Sequence, residues 1–459
     1  MSEKQDAAPH AAWERVVACT EAAMKAHSVP GAVVGVLHQG ETKTAGLGVT
    51  NVDHPLPVTP DTLFQIGSIT KTYTAMAVMR LVERGALSLD EPVRTYVPDF
   101  RVADEDTSAQ VTLRHLLTHT AGWSGDLFTD MEFGDDALAR YVAAMAELQQ
   151  ETPLGASFSY NNAAVTLAGH VVATVTGKTY EAAMQELVLD PLGLKRSFFN
   201  PIDVMVHRFV VGHKEGPKGP QVAQPWPISR GENPCGGLVC DIGDLLRYGR
   251  FHLGDGTAED GARLLSAETM ALMQTTQATI WKDEAIGLTW FLNVTDGVCR
   301  VSHGGSTIGQ QAELTLVPQH GLAIGVMTNA DEGAALNKDV TNCALREYAG
   351  VNVREPEAIE ASPEALAAYA GLYTRYMVDL ELGMLAGQLV GQIRYTAGFP
   401  TKDSPPPPCP PPMSLGLCEP DRLLFLNGAL KGLPVEVVRD ADGTVGWLRA
   451  GYRLQKRVR

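Results

Sequence analysis

Apolar positions recur at helical spacing over residues 10–27, and Pro30-Gly31 ends the run. The stretch Ala32-Val33-Val34-Gly35-Val36-Leu37 is apolar throughout and is followed by Gln39-Gly40, which predicts a hairpin with 42–49 as its return strand. The same grammar returns far downstream. Glu313-Leu314-Thr315-Leu316-Val317 alternates, Pro318-Gln319-His320-Gly321 turns, and Leu322 to Met327 is apolar again, with 298–303 as a third strand. Helical periodicity fills the interval, over 69–84, 135–149, 163–176 and 179–188, separated by Gly and Pro. One antiparallel sheet drawn from both ends of this stretch, flanked by helices and joined to a helical region, is expected: an α/β fold of the α+β kind, not a repeated βαβ unit.

Past residue 350 the pattern changes. Residues 351–365 are acidic, contain proline and are short of large apolar side chains, which predicts a linker between a domain at 1–350 and a second one at 366–459. The second shows short alternating runs at 378–385, 388–394, 422–427, 434–439 and 444–449, the spacing of a small all-β, lipocalin-like barrel. Within it, 404–412 carries seven prolines around Cys409. Proline has no N–H to give a ladder, so this stretch is expected to be an extended loop. Its stiffness suggests a loop that reaches the active-site mouth and limits substrate length.

A chain of 459 residues exceeds one ordinary core, in keeping with two domains. The net charge of −16 disfavours nucleic acid and anionic membrane, whose recognition needs clustered Lys and Arg, and leaves a small molecule or peptide as the expected partner. Association into a homo-oligomer is allowed by the sequence and not required by it. No stretch approaches 18 consecutive apolar residues and the first residues lack an apolar export segment. Seven cysteines without repeating spacing do not describe a disulfide framework, so a cytoplasmic location is expected. Cys235 with Cys240, and His115 with His119, lack the further ligands of a zinc site, and no metal is expected.

The candidate chemistry starts at Gly67-Ser68-Ile69-Thr70-Lys71. Ser68 falls at the first turn of a helix whose apolar stripe is Ala75, Val78, Met79 and Val82. Residues three apart share a helix face, so the Lys71 amine can reach the Ser68 hydroxyl, and the free N–H groups of a helix start suit an oxyanion. No G-x-S-x-G elbow occurs, which argues against an α/β-hydrolase.

The chain over about 12–348 resembles the serine β-lactamase and penicillin-binding-protein-like superfamily, in the branch of class C β-lactamases, DD-peptidases, D-aminopeptidases and related esterases. The likeness rests on three motifs in order: Ser68-Ile69-Thr70-Lys71 for S-x-x-K, Tyr160-Asn161-Asn162 for Y-x-N, and His303-Gly304-Gly305-Ser306 for the Lys/His-x-Gly strand. Leu116 to Gly122, Asp190 to Leu194 and Gly236 to Cys240 match further blocks. The resemblance implies an acyl-enzyme on Ser68, a base role shared by Lys71 and Tyr160, an Asn162 that orients the lysine and a substrate amide, and an oxyanion hole from the Ser68 and Ser306 amides. No cofactor is implied, since nucleophile, base and oxyanion donors all come from the chain.

His303 departs from the lysine typical of the β-lactamases in this branch, and its charge is expected to vary near pH 6 to 7, about the free imidazole value. Gly304 and Gly305 would let a substrate backbone approach the strand. The expectation is a serine hydrolase of ester or peptide and amide bonds in small substrates. The alternatives are a β-lactamase or a non-catalytic penicillin-binding sensor.

Overall fold

The computed structural model describes residues 3–398, 401 and 404–458. Both predicted hairpins form and meet in one sheet. Strands β1 (Gly31–His38) and β2 (Glu41–Gly48) open it; β3 (Ala278–Trp281), β4 (Glu284–Ile286), β5 (Phe291–Thr295), β6 (Val298–Ser306), β7 (Gln311–Val317) and β8 (Leu322–Thr328) complete it in the order β2-β1-β8-β7-β6-β5-β4-β3. β1 and β8, far apart in sequence, pair antiparallel with Ala32 opposite Thr328 and Gly35 opposite Gly325.

Both faces of the sheet are covered, which explains why β1 and β8 are apolar on both sides rather than alternating. Helix α1 (Glu3–Ala26) lies on one face through Val16 and Ala23, against Val34, Val36 and Val326. On the other face α2 (Thr70–Glu83) and α3 (Asn162–Thr176) form the buried centre of the helical region. A one-turn α4 (Asn233–Gly236) precedes α5 (Ile242–Leu253), which rests on the Gly35–Gly325 pair. A Cβ on either glycine would come within 2.6–2.8 Å of Ile242 or Leu246, so the pair is the groove that seats the helix. Helix α6 (Gly333–Ala349) packs beside α1 and is joined to it by a disulfide between Cys19 and Cys343, a bridge that the cysteine spacing did not announce.

Eight further strands form a closed antiparallel barrel in consecutive order: β9 (Gly371–Arg375), β10 (Val378–Leu385), β11 (Gln388–Tyr395), β12 (Met413–Glu419), β13 (Arg422–Phe425), β14 (Pro434–Arg439), β15 (Val445–Ala450) and β16 (Arg453–Arg457). Tyr373 pairs with Arg457 to close the ring, which leaves no free edge. Tyr373, Leu389, Leu423, Val435 and Leu448 fill its interior. Residues 404–412 run without a ladder between β11 and β12, as the prolines require.

The barrel docks on the β3–β4 edge and on the loop before α3. Arg422 pairs with Glu284, and Lys282 with Glu419. The Arg449 guanidinium donates to the carbonyls of Ile280 at 2.7 Å and Phe158 at 3.2 Å. Among the described residues no helix is long and apolar enough to cross a membrane.

Candidate active site

A single 3₁₀ turn, Gly67–Ile69, leads into α2 and holds Ser68 partly exposed while Gly67 and Ile69 are buried. Gly67 has φ +50°, and a Cβ there would meet the Ser306 amide nitrogen at 2.6 Å. Gly305 makes the reciprocal demand: its Cβ would lie 1.8 Å from the Ile66 carbonyl oxygen and 3.1 Å from the Ser68 nitrogen. The nucleophile turn and β6 are therefore in backbone contact, and only glycines permit it. This brings the Ser68 and Ser306 amides to one wall of the cavity.

Lys71 is fully buried. Its Nζ donates to Ser68 Oγ at 3.0 Å and to the Cys235 carbonyl in α4 at 2.6 Å, and lies 5.0 Å from the centre of the Tyr160 ring. These contacts offset the cost of taking an amine out of water.

Tyr160 is held from several directions. Its ring stacks on His119 at 4.5 Å between centroids, and its backbone N–H donates to the Tyr452 carbonyl at 2.8 Å, in the turn between β15 and β16 of the barrel. Asn161 caps α3, accepting from the Ala164 N–H at 2.8 Å, while its own N–H donates to His119 Nδ1 at 3.0 Å. His119 thus serves as a wall behind the tyrosine, and His115 caps a short helix through Thr112. Burial, with Lys71 and His303 nearby, keeps His119 neutral.

The structure departs from the sequence expectation at Asn162 and at His303. Asn162 donates to Asp126 Oδ1 at 2.7 Å and not to Lys71. Asp126 in turn pairs with Arg453 at 2.8 Å, and Arg453 lies 4.9 Å from the Tyr160 ring centre. Burial opposes ionisation of Asp126, but Arg453, Arg375 and the Asn162 amide outweigh it and hold the carboxyl below its usual range. His303 is the second correction. It is buried, Nδ1–H donates to the Gly304 carbonyl at 2.6 Å, and burial followed by the charge of Lys71 lowers its pKa to about 3. The imidazole is neutral across the physiological range rather than titrating near neutrality.

The cavity above these groups measures about 590 Å³. Ser68, Tyr160, Asn162 and His303 to Ser306 line it, so the three sequence motifs converge, with Lys71 beneath the serine. Glu232, Glu313, Tyr452 and Arg453 contribute further parts of the wall. Burial raises the Glu313 carboxyl to about 7, against the opposing pull of the Thr315 hydroxyl and Arg300. None of residues 404–412 lines the cavity; the barrel enters it through the Gly451-Tyr452-Arg453 turn instead, which overturns the expectation for the proline-rich loop. A second cavity of about 710 Å³ adjoins through Ile228 and Gly236 and is walled by Phe199, Trp226 and Pro227.

Asp126, Arg453, Tyr452 and Glu232 escape a motif reading, while His119 falls in the Leu116–Gly122 block without its role being marked. A Gly451-Tyr452 turn between two alternating runs signals a hairpin, but not where that hairpin lands.

The profile of the Beta-lactamase family matches residues 16–344. The chain is similar to Penicillin-binding protein 4 of Amycolatopsis lactamdurans, at 35% identity over 375 residues covering 80% of this chain and 98% of that protein. It is similar to Esterase EstB of Burkholderia gladioli, at 34% over 230 residues, 47% of this chain and 57% of that one. Among solved structures, the crystal structure of SurE superposes with a TM-score of 0.77 and 26% identity, covering 98% of this chain and 100% of that one, and SurE is also known in a structure with D-Leu.

Proposed function

The chain belongs to the Beta-lactamase family, and from that premise we propose that Ser68 is the nucleophile of a serine hydrolase cleaving esters or amides of small peptides and amino acids. The observation that carries this reading is the 3.0 Å contact between Lys71 Nζ and Ser68 Oγ. Ser68 Oγ attacks the carbonyl carbon as its proton passes to Lys71 and Tyr160, which share the base role, and the oxyanion is received by the Ser68 and Ser306 amides. Tyr160, next to Lys71, returns a proton to the departing alcohol or amine. Water then attacks the acyl-serine ester, the acid leaves, and Ser68 regains its proton.

A neutral His303 supports peptide, amide or ester substrates over β-lactams, because no fixed charge stands there for a β-lactam carboxylate. The D-Leu in the SurE structure supports D-residues, and the name of EstB supports ester cleavage. The adjoining apolar cavity offers room for an extended acyl portion. We assign residues 1–350 to the hydrolase, 351–365 to a linker and 366–459 to an accessory barrel. A cytoplasmic location is supported by the five unpaired cysteines, while the Cys19–Cys343 bridge weighs against it, since such bonds are rare in reducing compartments; cell fractionation decides between them.

Ser68→Ala is the test. It should lose roughly a thousandfold or more in turnover of p-nitrophenyl esters, and the wild-type protein should gain one acyl mass on the peptide containing Ser68. Turnover close to wild type in the variant would sink the assignment.

A further inference from the structure

Glu232 caps α4, the one-turn helix whose Cys235 carbonyl receives Lys71. Its backbone N–H donates to the Ser229 carbonyl at 2.9 Å. The side chain is only 4% exposed, yet it lines the catalytic cavity with Ser68 and Gly236. Its carboxyl has no hydrogen bond or ion pair among the described residues.

The other charged groups around this cavity are engaged. Lys71 donates to Ser68 and Cys235, Arg453 is held by Asp126 at 2.8 Å, and Glu313 accepts the Thr315 hydroxyl at 3.2 Å. A substrate carboxylate would therefore meet a neutral imidazole and an arginine already paired. A substrate cation would meet an unsatisfied carboxyl, a group that is costly to bury without a partner. Burial and the Asp126 carboxylate push Glu232 well above the ordinary range, with Lys71 pulling the other way.

We propose that Glu232 is a specificity-determining residue that receives the α-ammonium group of an aminoacyl ester or amide bound for attack by Ser68. The carboxylate and the ammonium pair inside the cavity, and any proton held by the empty site's carboxyl leaves to solvent as they do. This rests on the serine-hydrolase reading above. The Glu232 position then selects substrates with a free amine over N-acylated ones.

The experiment uses the full-length protein and Glu232→Gln with leucine p-nitroanilide and N-acetyl-leucine p-nitroanilide, each in D and L form. For the free-amine substrate that wild type prefers, kcat/KM should fall about 10- to 100-fold in the variant, mainly through KM. The acetylated substrate should stay within about twofold, since only the lost charge pairing is at issue. An equal loss on both substrates would place Glu232 in the environment of Lys71 and overturn the proposal, as would no loss on either. Glu232→Asp, which keeps the charge, should retain part of the free-amine preference, and a loss of that preference equal to the Gln variant would also overturn it. Acylation of Ser68 by p-nitrophenyl acetate, followed by intact mass, separates the two readings. Its absence in wild type sinks the hydrolase assignment; its presence without an amine preference sinks this one alone.

Discussion

The Arg453 guanidinium lies 4.9 Å from the centre of the Tyr160 ring while it pairs with Asp126 at 2.8 Å, so the barrel places a cation against the tyrosine of the catalytic cavity. Asp126 is 5% exposed, and without Arg453 it would keep Asn162 and an Arg375 at 3.6 Å. Arg453→Met should cost about 3 kcal/mol, the low end for breaking a buried pair, because Arg375 remains. Urea unfolding measures it, and Arg453→Met/Asp126→Asn should regain most of the loss. An unchanged single variant would show that the pair does not hold the barrel turn in place.

Gly305→Ala should disable the site while Gly304→Ala does not. A Cβ on Gly305 would sit 1.8 Å from backbone at Ile66, whereas one on Gly304 meets the Glu313 carboxylate at 3.0 Å. Displacing the nucleophile turn from Ser306 by even part of an ångström should lower kcat/KM about 100-fold. Steady-state kinetics of the two variants on one ester decide the matter, and equal activities would count against the shared-wall geometry.

His252 is a pH-sensitive element of the core. It is surrounded by Tyr248 at 4.5 Å, Trp290 at 5.0 Å and Phe251 at 5.5 Å, and neither ring nitrogen has a hydrogen bond among the described residues. Burial lowers its pKa to about 3. Between that value and about 6.5 the unfolded chain binds a proton that the folded one refuses, so acidification favours unfolding. From pH 7 to pH 5 this one residue should cost about 2 kcal/mol. His252→Leu should reduce the wild-type loss over that interval by the same amount in urea titrations at the two pH values. Identical pH dependence in both proteins would refute the assignment.

Deleting 404–412 should leave substrate selectivity unchanged. Gln392 Nε2 donates to the Pro410 carbonyl at 2.9 Å, which ties this loop to its own barrel, and no residue of it reaches the cavity. Residue 403 beside it lies outside the described residues. Tyr452→Ala, by contrast, removes a cavity wall and should alter KM for ester substrates of different size. A deletion that broadened the substrate range would restore the loop to the active-site mouth.

The parts of the fold built on strong periodicity were legible. β1, β7 and β8 are long apolar or alternating runs, and α2 and α3 carry continuous helical stripes with recognisable ends. The 179–188 pattern instead divides into Tyr180–Met184 and a π turn at Gln185–Leu189, and 135–149 closes in a 3₁₀ turn. Strands β3 and β4 are three or four residues long and joined through a bulge, too short for alternation to register. The predicted runs leave out β9, β12 and β16, and the predicted helices leave out α5 and α6.

In the site, the motifs located Ser68, Lys71, Tyr160 and the 303–306 strand because those spacings are local. Asp126 and Arg453 pair, and Glu232 reaches the cavity, only through the tertiary fold, and no spacing announces them. The charge of His303 is not legible in the sequence for a related reason: burial beside Lys71 sets it, and burial is a property of the fold.

The hydrogen bond from Tyr160 to Tyr452 bears on synthesis at the ribosome. The nucleophile and its lysine emerge early, but the strand at 303–306 that walls them emerges much later, and the turn that steadies the tyrosine only near residue 453. A nascent or prematurely terminated chain thus lacks a finished catalytic wall. Until the barrel is made, the part of the cavity wall formed by Gly451, Tyr452 and Arg453 is missing.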